Sequence, residues 1–185
     1  GATLTIQPGT FIKAKPSANN TATGVLVIAK TGKINAAGTE AQPIIFTSYK
    51  LLDGNEDTTA APGDFGGVIM LGDAPTNTPF TKTIEGLSGP DFYYGGTNAS
   101  HDGGTLKYVR IEFAGYDLLA PNSGNEINGL TLGGVGNATT LDHIQVSFGK
   151  DDSFEFFGGT VNASNLVSFA ADDDNFDFDN GYTGT

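Results

Sequence analysis

Short apolar runs punctuate the chain, each bounded by Gly, Asn, Asp or Pro. They include Thr3-Leu4-Thr5-Ile6, Gly24-Val25-Leu26-Val27-Ile28, Pro43-Ile44-Ile45-Phe46 and Gly67-Val68-Ile69-Met70-Leu71. Tyr108-Val109-Arg110-Ile111-Glu112-Phe113 and Ile144-Gln145-Val146-Ser147-Phe148 continue the series. Several alternate with period two, as strands with one buried face do. No window keeps an apolar stripe at helical spacing over three turns, so the pattern predicts an all-β chain. Regular strand spacing fits a sandwich, a barrel or a solenoid.

Internal similarity decides among these. Val146-Ser147-Phe148, an Asp cluster, Phe154-Glu155-Phe156 and a closing Gly recur as Val167-Ser168-Phe169, an Asp cluster, Phe176-Asp177-Phe178 and Gly181. The offset is 21 to 22 residues, which suits one turn of a stacked solenoid rather than a sandwich. The expected fold is a right-handed parallel β-helix, since parallel crossovers take that hand almost without exception. Residues 1–185 are read as a single domain, a fragment of a longer solenoid with open rungs at both ends. A start at Gly1 rather than Met fits a processed or trimmed product. Insertions are expected near 51–64, 73–102 and 116–125, where polar residues, Gly and Pro break the rhythm. The expected core is Ile6, Val25, Val27, Ile45, Ile69, Val109, Ile111, Phe113, Leu130, Leu132, Ile144, Val146, Phe148, Phe154, Phe156, Val167, Phe169, Phe176 and Phe178.

Composition narrows the function classes. Nine Lys and Arg against 21 acids give a net charge of -12, a surface that repels a phosphate backbone, so nucleic acid is not an expected partner. Arg110 is the single arginine, and a pair with Glu112 on the polar side of its strand is expected. Cysteine is absent, which removes disulfides, thiol nucleophiles and Cys-based zinc sites. No apolar run reaches the ~20 residues that span a bilayer.

Several of these stretches resemble a known group. Thr3-Leu4-Thr5-Ile6-Gln7-Pro8-Gly9-Thr10, Gly32 to Thr39 followed by Gln42 to Ser48, Gly66 to Gly72, Ile84-Glu85-Gly86, Leu106 to Gly115 and Asp151 to Gly184 are similar to the rungs of secreted right-handed parallel β-helix surface proteins of Bacteroidetes-type bacteria. The resemblance implies export, to the cell surface or the medium, and a β-helix. It carries no defined catalytic residues, so none is assigned.

The candidate chemistry is acidic. Asp151, Asp152, Glu155, Asp172, Asp173, Asp174, Asp177 and Asp179 are eight of the 21 acids. On a strand, Asp173, Asn175, Asp177 and Asp179 share one face and Phe176 and Phe178 the other. If one repeat is one turn, Asp151 and Asp152 stack on Asp172 and Asp173, with like charges ~4.8 Å apart. Calcium would relieve that repulsion by taking oxygen ligands. A solvated acidic face is the alternative, and the EF-hand and nonapeptide calcium patterns are not met. Phe92, Tyr93, Tyr94 and Tyr116 in the insertions are candidate sugar-stacking rings, or else loop anchors. Neither His101 nor His143 comes with a Gly-x-Ser-x-Gly elbow. The expected function is therefore a non-catalytic structural or adhesive module that self-associates end to end. The alternative is a calcium-dependent, glycan-binding or polysaccharide-processing β-helix.

Overall fold

Each alternating run forms a strand in the computed structural model, which describes residues 1–185 apart from 17–22, 52, 53, 57 and 118–125. The strands in chain order are β1 (Thr3–Ile6), β2 (Phe11–Ala14), β3 (Val25–Ile28), β4 (Lys33–Ala37), β5 (Ile44–Ser48), β6 (Gly67–Leu71) and β7 (Gly104–Glu112). They continue as β8 (Tyr116–Asp117), β9 (Glu126–Ile127), β10 (Leu130–Gly133), β11 (Thr140–Ser147), β12 (Phe154–Phe157), β13 (Ala163–Phe169) and β14 (Phe176–Asp179). A long sheet runs β1-β4-β7-β11-β13, with β2 and β5 pairing beside the second half of β7. A short sheet runs β3-β6-β10-β12-β14. All of these pairings are parallel, and the small β8-β9 ribbon is antiparallel. The chain passes from the long sheet to the short one and back in each turn, which is a parallel β-helix, the expected fold class.

The last two turns repeat at 22 residues, with Leu141 beside Ala163 and Phe154 beside Phe176. That register corrects the expected acidic stacking by one position: Asp152 lies beside Asp174, not Asp173. The Asp174 N–H donates to Asp152 Oδ1 at 2.8 Å.

Corners stack as faithfully as strands. Midway along the long sheet the chain bends at one left-handed residue per turn: Tyr108 (φ 48°), His143 (φ 53°) and Asn165 (φ 54°). It bends again at Phe113 (φ 57°), Phe148 (φ 59°) and Ala170 (φ 57°). Leaving the short sheet, the same conformation falls on Gly134, Gly158 and Asn180, residue types that visit it at low cost.

The lumen holds two rows from the short sheet, Leu26-Val68-Leu130-Phe154-Phe176 and Ile28-Met70-Leu132-Phe156-Phe178. Ile34, Ile44, Phe46, Leu106, Val109, Ile111, Ile144 and Val146 face them from the long sheet. Ring stacking continues the rows to the last turn, Phe154 on Phe176 at 5.1 Å and Phe156 on Phe178 at 5.0 Å.

Part of the expected core lies elsewhere. Val25, Val27 and Ile69 point away from the lumen and are covered in a second cluster with Leu71, Ile84, Tyr94, Ile127 and Phe157. Ile45 is buried beside Arg110 on the outward face of the long sheet. Phe113 and Phe148 stack on each other at 5.1 Å outside the lumen, because a left-handed corner turns the side chain outward. Val167 and Phe169 face outward and are exposed. Phe176 and Phe178 face inward yet stay exposed, as no further rung covers them among the described residues.

Candidate functional site

The outward face of the short sheet changes character along the axis. Its central row reads Val27, Ile69, Thr131, Glu155, Asp177, each in register with the next. The apolar end of this row lies under the segment between β6 and β7. That segment is anchored by Tyr94, a buried ring 6.0 Å from Phe157 whose hydroxyl accepts a bond from Asn180 Nδ2. A Cβ on Gly133 would stand 3.0 Å from the same ring, so glycine permits the close approach. Lys30 ties both ends of the segment, pairing with Asp73 at 2.9 Å and donating to the Gly95 carbonyl at 2.7 Å. Farther along, Asn77 N–H reaches the Asn180 carbonyl and Gly159 N–H reaches Pro75, so the segment straps the later turns together.

From the other side the Ile127-Asn128-Gly129 stretch folds over the acidic end of the row. Gly129 N–H donates to the Asp152 carbonyl, and Asn128 Nδ2 donates to Glu155 Oε2. Glu155 is only 6% exposed, although it stands on the outward face of the short sheet, where Asn128 in the stretch before β10 reaches it.

Two overlapping triads of carboxylates result: Asp151, Asp152 and Asp173, and Asp152, Glu155 and Asp177. Within each, ligand oxygens lie within 4.8 Å of one another. Asp172, Asp174 and Asp179 are exposed and belong to neither triad. Burial pushes Glu155 up to about 10, and Glu85, Asp152, Asp177 and Asp151 push the same way. Asp152 is raised to about 6, mainly by burial, against the Asp174 N–H bond that favours its ionised form. Asn128, Thr131 and Glu85 complete the surroundings. Strand alternation in Leu130-Thr131-Leu132 placed Thr131 on the outward face, but nothing in the sequence places these three beside Glu155.

The candidate sugar-stacking rings take other roles. Tyr94 is an anchor, and Phe92 packs against the same cluster. Tyr93 is half-buried in a bridge to Thr83. Tyr116 is half-buried and lines a cleft with Tyr49, Lys50 and Asp64.

Elsewhere the polar groups form pairs. Arg110 meets Glu112 at 2.6 Å, as its spacing predicts, and Thr47 donates to the same carboxylate. His143 Nδ1 lies 2.7 Å from Asp142, and its ring stacks on Tyr108 at 4.4 Å. Ser164 donates to Asp142, not to the imidazole, so the order of a nucleophile, a base and an orienting acid is not made here. His101 is buried, with Nε2 at 2.9 Å from the Lys30 carbonyl.

A family model described as a pectate-lyase-like beta helix domain matches residues 1–185. Neither the curated proteins nor the solved structures give a match.

Proposed function

The chain belongs to the pectate-lyase-like β-helix domain family, and we propose that it is a non-catalytic structural and adhesive module of the cell exterior that associates end to end. The observation that carries this reading is the uneven distribution of charge along the solenoid axis. Residues 1–50 hold five Lys against one Glu, while residues 151–185 hold eight acids and no Lys or Arg. Opposite charge in the first and last turns orients an encounter between two copies head to tail. Non-closing contacts of that kind extend into filaments.

Analytical ultracentrifugation over a wide concentration range tests it. The expected result is association that grows with concentration, weakens as salt is raised, and is reduced in the double variant Lys13→Glu, Lys15→Glu. A chain that stays monomeric at the highest concentration sinks the reading.

The acidic cluster favours a second reading, a calcium-dependent domain that binds or processes polysaccharide. Against cleavage stands the placement of Arg110, on the long sheet and tied to Glu112, away from the carboxylates of the short sheet. Release of new chain ends from a polysaccharide panel in calcium would overturn the non-catalytic assignment.

A further inference from the structure

The Glu155 side of the short sheet combines two costly features in one place. Asp152, Glu155 and Asp177 bring three carboxylates within 4.8 Å, and the first two are buried. Like charges so close repel strongly once water is excluded. Beside Glu155, on the same outward row and one strand away, Thr131 is 2% exposed and its Oγ1 is buried with no hydrogen-bond partner among the described residues. A buried hydroxyl is almost always partnered. Lys30 is paired with Asp73, and Lys107 and Arg110, on the long sheet, are paired with Asp142 and Glu112. An ion seated among the three carboxylates satisfies the hydroxyl and cancels the repulsion together.

We propose that one divalent cation, calcium by its donor chemistry, is held by Asp152, Glu155, Asp177 and Thr131 Oγ1, and that it locks the flanking insertions onto the short sheet. The donors are all hard oxygens, with neither nitrogen nor sulfur, which selects calcium or magnesium over zinc or copper. They come from three adjacent strands and one corner, an irregular arrangement that suits calcium's variable geometry better than the strict octahedron of magnesium. The cation fixes Glu155, and Glu155 holds Asn128 in the stretch that continues into β10. It therefore joins the stretch before β10 to three successive turns. The other triad shares Asp152 but opens outward through exposed Asp173, and it forms a solvated rim. This site stands independently of end-to-end association.

Calorimetric titration of calcium into EDTA-stripped protein, paired with thermal unfolding, tests the assignment. The expected stoichiometry is one calcium per chain. At about a hundredfold excess over Kd the melting temperature rises by about 5–10 °C, and magnesium gives a much smaller shift. Glu155→Gln keeps the shape of the side chain and removes its charge. In EDTA it melts at or above the wild type, which shows that it folds, while its calcium affinity falls about tenfold or more. Thr131→Val weakens calcium binding without lowering the EDTA melting temperature. Asp172→Asn, outside both triads, binds as the wild type does. Calcium also slows proteolysis within residues 73–102 in the wild type but not in Glu155→Gln. A wild-type chain with neither heat nor a calcium-specific shift overturns the proposal. So does undiminished binding in both Glu155→Gln and Thr131→Val, which would place the ion at Asp151, Asp152 and Asp173.

Discussion

Left-handed corners show how single residues carry the solenoid. Ala170 occupies φ 57° at the corner where earlier turns place Phe113 and Phe148, and such a conformation costs an L-residue about 1–2 kcal/mol. Ala170→Gly relieves that cost and offsets it against greater freedom in the unfolded chain, so its stability should equal or exceed the wild type. Ala170→Val adds β-branching and should lose at least about 1–2 kcal/mol. Urea unfolding with an unchanged m-value distinguishes the two. Asp142 is the second case. Asn165 and Lys107, then Ser164 and His143, hold its carboxyl far below the usual range, outweighing a burial effect in the other direction. A carboxyl lowered on folding stabilises the native state above its unfolded value of about 3.9 and loses that contribution as pH falls. Asp142→Asn should be less stable than wild type at pH 6, and the gap should close toward pH 2 in a series of denaturant midpoints.

At the scale of elements, the segment 73–102 behaves as a strap rather than a loose excursion. Its apolar residues Ile84 and Tyr94 cover Ile69, Leu71 and Phe157 on the outward face of the short sheet, and so the strands there carry apolar residues on both faces. Tyr94→Ala removes a buried ring and should cost about 3–5 kcal/mol, with protease cleavage appearing inside 73–102 before global unfolding. Tyr94→Phe removes only the hydroxyl, which meets Asn180 and Thr78, and should cost about 1 kcal/mol. Equal effects of the two variants would show that the ring does not hold the strap.

On the scale of the whole molecule, charge and exposed apolar surface are distributed along one axis. The net charge of -12 is concentrated toward the last turns, while residues 1–50 are net positive. Steering of one end to the other should therefore weaken as the screening length shrinks below about 10 Å above 0.1 M salt. Raising ionic strength should accordingly weaken the association, and sedimentation in a salt series checks it.

The order of strands, the solenoid class and the 22-residue period were legible in the sequence, because alternation and repeat spacing are local properties of the chain. The lumen residues Leu130, Leu132, Ile144, Val146, Phe154 and Phe156 followed from the same alternation. Tertiary structure alone decided which outward faces are covered. Ile69 and Glu155 stand in one outward row, and each is buried by a segment distant in sequence. No periodicity records where such an insertion will lie. It decided, too, that Phe148 and Phe169 leave the core: Phe148 is itself a left-handed corner residue, and the 22-residue register sets Phe169 beside Ser147 on the outward face. The acidic repeat marked the region of the candidate site. The burial of Glu155 and a Thr131 hydroxyl without a partner among the described residues arise only when successive turns meet the stretch before β10.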